Sequence, residues 1–383
     1  MSSEACCYTP GLKRKATTVV RKTRILPIPG EVLVREKEEI TADTIIARAF
    51  ILGEVHVANV AALLGIEYWE TSKYLLKKKG EEVEKDEPIA MIKSLFGLLK
   101  RTTYAPASGT IERVSDVSGQ VLIRESKIPL DIDAYIPGKV MEILPNEGAT
   151  IETPAAFIQG IFGIGGERKG KLTLVAKTPN EILTAAQLKP EHKGKILIGG
   201  ARVTDDALQK AGQIGVKGIV VGGIDDHDLT TFLGYKIGVA ITGHEDIPIT
   251  LIITEGFGEM AMSEKTFSLL KKFNGKDASI NGATQIRAGV LRPEIIIPMI
   301  DEVTESSKFE DDDEKDYLQQ GLLPGTPIRI IRDPFFGALG IVSKLPVKLQ
   351  TIETESSVRV LEAKLADGRH VIVPRANVEI IEE

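Results

Sequence analysis

The sequence predicts a multidomain α+β protein, and three observations lead there. Glycine-centred turns with short β-branched stretches recur between residues 27 and 153. Continuous apolar runs alternate with amphipathic segments from about residue 155, and an acidic run precedes a last stretch of alternating strands. At 383 residues the chain is too long for one hydrophobic core. It divides into a basic arm (1–24), a β domain (25–153), an α/β domain (154–300), an acidic linker (301–323) and a small β barrel (324–383).

The totals exclude several classes. Hydrophobic residues make up 43% and charged residues 27%, as in ordinary globular proteins. A net charge of −6 is not that of a polycation built for nucleic acid. No apolar run reaches the length of a bilayer crossing and no signal-peptide core stands near Met1, so a cytoplasmic location is expected. Cys6 and Cys7 are the only cysteines, and two adjacent thiols neither bridge readily nor complete a zinc site.

The stretch "TPGLKRKATTVVRKTR" (9–24) carries Lys13, Arg14, Lys15, Arg21, Lys22 and Arg24 without an acid. One reading is an arm that touches phosphates; the preferred one is a solvated edge strand guarded by its cations. Four related phrases follow: "PIPGEVLVREKEEITADTIIA" from Pro27, "LKKKGEEVEKDEPIAMIKS" from Leu76, "APASGTIERVSDVSGQVLIRE" from Ala105 and "YIPGKVMEILPNEGATIET" from Tyr135. Glycine supplies the turns and short apolar alternation the strands, as in a compact barrel or sandwich.

"GEEVEKDEPIAMIKS" followed by "APASGTIERV" resembles the barrel-sandwich hybrid of biotinyl and lipoyl carriers, over roughly residues 25–153. In that family the modified lysine lies on a hairpin before an "SGT"-like turn, where Lys93 is the nearest candidate. The biotin "AMKM" spacing is absent and "LFGLLKR" lengthens the hairpin, so the resemblance implies the fold without a prosthetic group, and no cofactor is assigned. Leu95, Phe96, Leu98 and Leu99, flanked by Lys93, Lys100 and Arg101, make an apolar tip. It suits a partner protein or a membrane surface, or it folds back onto the helix-like "VANVAALLG".

From residue 155 the strands "GKILIGG", "KGIVVGG" and "PITLIIT" each run into a helix, with caps at Thr204, Asp225 and Ser263 and a last helix end at Asn274-Gly275. Runs apolar throughout are expected where both faces of a sheet are covered. This order resembles swivelling or protease-associated-type domains. "GIFGIGGERKG" (160–170) is read as a bent linker between the first two domains, and "DEVTESSKFEDDDEKDYLQQ" (301–320) as a solvated one.

Candidate chemistry is sparse. Gly199-Gly200 and Gly222-Gly223 end strands before helices, where backbone amides can hold an anion, although ordinary turn chemistry is the preferred reading. The acids of "DDHD" (Asp225 to Asp228) are explained by a helix dipole, and no metal is assigned. No histidine is spaced to serve a nucleophile, so no catalytic residue is assigned.

The C-terminal stretch "TPIRIIRDPFFGALGIVSKL" resembles a KOW module, the SH3-like barrel of NusG-type transcription factors and several ribosomal proteins, over about sixty residues. Asp333 stands where that family usually has glycine. The resemblance places Phe335 and Phe336 on a turn as partner anchors; the other reading packs both rings in the module's own core. Eight basic residues meet eight acids within 325–383, which favours a protein partner over RNA. The expected function is a non-catalytic adaptor in a larger assembly, tilted by the KOW resemblance towards transcription or translation. The alternatives are an enzyme-complex subunit binding an anionic ligand at the Gly-Gly turns, and an RNA-binding factor using the basic arm. A transmembrane segment and peripheral membrane contact are not expected.

Overall fold

The computed structural model describes residues 12–94, 99–236, 242–243, 245–285, 291–300, 322–332, 334–335, 338–346, 348–351, 357–366 and 368–380. Cys6, Cys7, Leu95, Phe96, Leu98, His244, the acidic run 301–320 and Phe336 lie outside them. The described chain is strand-rich and builds several sheets. None of its helices is long and apolar enough to cross a membrane.

The architecture turns on one strand, Gly148–Gln159. Along one edge the basic stretch Arg14–Ile25 pairs with it antiparallel, from Arg14 opposite Ile158 to Ile25 opposite Gly148. Along the other edge its first half pairs with Gly138–Leu144 and its second half with Glu294–Pro298. Strand alternation then sends side chains to two cores. Ala149, Ile151 and Ala155, with Ile296 of the neighbouring strand, face the core of the first β module. Ala156 and Ile158, with Ile295 and Ile297, face the core shared with the α/β module. The expected boundary at 153/154 therefore falls inside a continuous strand: both cores need the same sheet, so the chain has no linker there.

The first β module adds a four-stranded sheet (Val55–Asn59, Gln120–Arg124, Gly109–Ser115, Glu82–Val83) and a three-stranded one (Ile128–Asp133, Ile45–Ile51, Glu31–Val32). The hairpin Pro88–Ser94/Leu99–Tyr104 completes it. A one-turn-plus helix, Val60–Leu64, starts where the Asn59 side chain accepts from the Ala62 amide and ends at Gly65 with φ +69°. It buries Val60 and Leu64 against Ile89, Ile111, Val121 and Ile123.

In the α/β module, Glu167–Leu174 changes partners along its length. Its first five residues pair antiparallel with Asp277–Asn281, and Leu172–Leu174 run parallel to Ile196–Ile198. Gly218–Ile224 and Thr250–Phe257 continue the parallel order. Helices Asp205–Ile214 and Asp226–Leu233 cover one face, where Leu208 and Leu229 meet Leu197, Ile219 and Leu251. Helix Glu264–Lys272 covers the other, where Phe267 and Leu270 meet Ile198, Val220 and Ile252. Their N-caps are Thr204, Asp225 and Ser263. The last helix stops at Lys272, and Gly275 beyond it takes φ +85°.

The glycine-rich segment read as a bent linker is core structure. Phe162–Ile164 is a fully buried strand paired with Thr250–Phe257, and Gly163 and Gly165 allow neighbouring carbonyls to approach. The C-terminal module is a five-stranded antiparallel sheet ordered His370–Pro374, Val360–Leu365, Leu339–Lys344, Pro327–Ile330 and Val378–Ile380. Ile328, Ile330, Val342, Leu361 and Val378 form its core.

Gly148 shows how tightly the central pairing is drawn. A Cβ there would lie 1.8 Å from the Arg24 carbonyl oxygen. Gly148→Ala is expected to lower unfolding free energy by about 1–3 kcal/mol through strand displacement, read from urea midpoints. An unchanged midpoint would show that the two strands slide apart freely.

Candidate interaction surface

The strand-end glycines are closed from above by the chain itself. A Cβ on Gly200 would lie 2.3 Å from the Glu181 carbonyl, one on Gly222 2.1 Å from that of Met260, and one on Gly223 2.2 Å from that of Gly258. On Gly199 it would meet Val221 at 2.6 Å. The amides of Gly199, Gly222 and Gly223 already donate to the carbonyls of Val220, Gly200 and Ala201. Glycine is needed here for backbone packing, and little of the cradle faces outward. Beside it, Arg202 pairs with Asp225, with Asp228 at 3.2 Å and with Glu259 at 3.9 Å, so Asp225 and Asp228 of "DDHD" answer a guanidinium. Among the described residues no three His, Cys, Asp or Glu side chains gather as a metal set.

The next polar cluster joins the C-terminal module to the α/β module. Arg329, 5% exposed, meets Glu255 at 2.5 Å and Glu379 at 3.4 Å, while Arg292 meets Glu379 at 2.8 Å. Burial raises the Glu379 carboxyl above its usual range, opposed by the two guanidinium groups. The adjoining cavity, between Arg14, Gln159, Thr266 and Ile380, is about 10 Å³, the lower limit for one water. This cluster is a docking contact.

The basic stretch is likewise answered internally. Arg21 meets Glu152, Lys22 meets Glu294 (both 2.6 Å), and Arg24 meets Glu167 at 2.5 Å. Nearby, Lys169 holds Asp43 and Asp133 at 2.6 Å and the Ala42 carbonyl at 2.9 Å. Burial pulls the Lys169 ammonium down, but its bonds to Asp133 and Asp43 outweigh this and raise it. Tyr135 sits at the centre, fully buried at φ +65°, with the Arg24 guanidinium 5.3 Å from its ring centroid. Burial, then the charges of Glu294 and Glu167, push its phenol well above the ordinary value, which keeps it neutral.

Of the expected anchors, Phe335 is half-buried against the C-terminal core, with Arg369 5.7 Å from its ring centroid. A ring packed on its own module has less area to offer a partner. Lys93 is exposed and stands directly across the hairpin from Lys100. The tip residues Leu95, Phe96 and Leu98 are outside the described set, and Leu99 is described by its backbone alone.

The surface that sequence reasoning missed lies on the first β module. Trp69, the chain's single tryptophan, is 58% exposed, and its ring stands edge-on to exposed Tyr68 with centroids 4.6 Å apart. Leu63 on the preceding helix and Val117 on the 116–119 turn are also exposed. The segment is held from below. Thr71 Oγ1 donates to the Tyr68 carbonyl at 2.7 Å, Ser72 Oγ donates to Asp116 at 2.7 Å, and the Ala61 amide donates to the Gly119 carbonyl at 3.0 Å. Gly119 lets that turn close, because a Cβ there would meet Ala61 at 2.2 Å and Tyr68 at 3.3 Å. The sequence signal was the adjacent pair in "GIEYWETS", an unusual use of the only tryptophan outside an apolar run.

Removing the central cation of the docking cluster is expected to be costly. Arg329→Met leaves Glu255 buried without its guanidinium and should cost about 3–5 kcal/mol in urea unfolding. Arg329→Met/Glu255→Gln should recover a large part; a loss below about 0.5 kcal/mol in the single variant would contradict the docking role. Compared with known proteins, the chain matches no family model and no curated sequence.

Proposed function

We propose that this protein is a non-catalytic adaptor that holds a protein partner on the Tyr68–Trp69 face of its first β module. The observation that carries the reading is the exposed aromatic pair, ring edge against ring, on a segment pinned by Thr71 and by the Gly119 turn. Tyrosine and tryptophan are the side chains most often responsible for binding energy, and a ring already held by its neighbours loses little freedom on binding. The buried and half-buried polar groups point the same way, since Arg202, Lys169, Arg329 and their carboxylates are engaged with one another.

The first β module is read as a barrel-sandwich hybrid whose Lys93 hairpin carries no group, and the C-terminal sheet as a KOW-like SH3 barrel. On that reading the assembly served is transcription- or translation-related and cytoplasmic, with Phe335 and Phe336 as secondary contacts. The alternative of an anionic ligand at Gly199, Gly200, Gly222 and Gly223 is disfavoured by the backbone that packs on them. Binding of RNA through the basic stretch is disfavoured by the ion pairs of Arg21, Lys22 and Arg24.

Capture of tagged protein from nuclease-treated native lysate, followed by titration of the purified partner, tests this. The single-tryptophan emission should shift to the blue as Trp69 is covered. Tyr68→Ala and Trp69→Ala should each weaken the partner roughly 30-fold, about 2 kcal/mol per anchor. A partner that binds both variants like wild type, or one lost on nuclease treatment, would overturn the reading.

A further inference from the structure

Strand edges in natural proteins are blunted by charge, proline, bulges or shortness, because a bare edge pairs with other chains. Nearly every described edge of useful length here is blunted. Arg14–Ile25 carries Arg14, Lys15, Arg21, Lys22 and Arg24 and a register shift between Lys15 and Thr18. Ile128–Asp133 contains Pro129, Asp131 and Asp133, and His370–Pro374 ends in Pro374. In the hairpin, Pro88–Ser94 contains Pro88 and Lys93, and Leu99–Tyr104 contains Lys100 and Arg101.

Val55–Asn59 is different. Its sequence VHVAN has no proline and no Asp, Glu, Lys or Arg, and its pairing with Gln120–Arg124 is regular from Val55 to Asn59. Among the described residues it pairs on that side alone, which leaves its other edge open. Val57 is 52% exposed, Val55 is exposed too, and Phe50, Ile51 and Leu52 are exposed on the chain leading into the strand. His56 is the one titratable side chain on it, and its Nε2 is 2.8 Å from Glu125.

We propose that Val55–Asn59 is a self-association edge that pairs antiparallel with the same strand of a second copy of this chain, extending the four-stranded sheet across a two-fold axis. The occupant follows from what a strand meets when it meets itself. With the axis at Val57, Val57 faces the partner's Val57, Val55 faces the partner's Asn59, and His56 faces the partner's Ala58. No charge faces a like charge. Leu122 lies beside Val57 in the sheet, so the axis joins a four-residue apolar row, Leu122 and Val57 with the partner's Val57 and the partner's Leu122. The basic strand Arg14–Ile25 has the length for such pairing but would bring cations against cations. The proposal goes beyond the adaptor reading and uses none of its anchor residues.

Sedimentation equilibrium of the full chain over a range of concentrations tests it. Wild type is expected at twice the chain mass. Val57→Lys places two ammonium groups against each other at the axis and should weaken self-association at least about 100-fold, with the circular dichroism of the folded chain unchanged because the site is exposed. Val57→Thr keeps the strand preference and should retain the dimer within about threefold. A wild type that stays monomeric, a Val57→Lys protein that dimerises like wild type, or a Val57→Thr protein as monomeric as Val57→Lys would each overturn the proposal. Tyr68→Ala and Trp69→Ala should leave the dimer intact, which keeps this test separate from that of the adaptor surface.

Discussion

Two hydrophobic cores are built on opposite faces of one strand pair, Gly148–Gln159 with Glu294–Pro298. Ile151 and Ile296 serve the first β module, while Ile158, Ile295 and Ile297 serve the α/β module. A sheet buried on both faces cannot be withdrawn from one core without opening the other, since the same backbone hydrogen bonds support both. The consequence reaches the N-terminal stretch, whose strand closes the free edge and whose cations are matched by acids on the sheet. Tyr135 is packed beneath Arg24 in a left-handed conformation. Strain of that kind persists only where surrounding packing over-determines it.

This arrangement decides what the molecule has left to offer. Among the described residues, the buried cluster of Arg329, Glu255, Glu379 and Arg292 pairs internally and ties the C-terminal sheet to the α/β module. Breaking such clusters is costly, so they are poor places to bind and release a ligand. Exposed rings and a bare strand edge carry no such penalty. Both lie on the first β module: the strand runs directly into the helix Val60–Leu64, and the rings follow that helix in sequence.

What the sequence made legible was local. Apolar runs such as "KGIVVGG" and "PITLIIT" are parallel strands covered on both faces, and Thr204, Asp225 and Ser263 stand at the N-cap positions of three helices, although only the Ser263 side chain accepts from its helix's first turn. Pairing between distant segments was hidden, because register between Arg14–Ile25 and Gly148–Gln159 depends on a core that neither stretch encodes alone. The same gap hides the role of "GIFGIGG": its glycines suggest a linker, whereas Gly163 serves close backbone approach inside a buried strand and Gly165 turns the chain just beyond it. Phe335 was conspicuous for its turn, yet its ring is partly buried against its own module. Trp69 gave little warning, since exposure is a property of the assembled surface.

The shared strand is the claim on which the rest stands, and native-state hydrogen exchange in low denaturant tests it most directly. Amides on either side of Pro154, in 149–153 and in 155–159, are expected to open together with one free energy and one denaturant dependence. Separate opening of the two halves, with the first β module exchanging while 155–159 stays protected, would contradict a single body built on that strand.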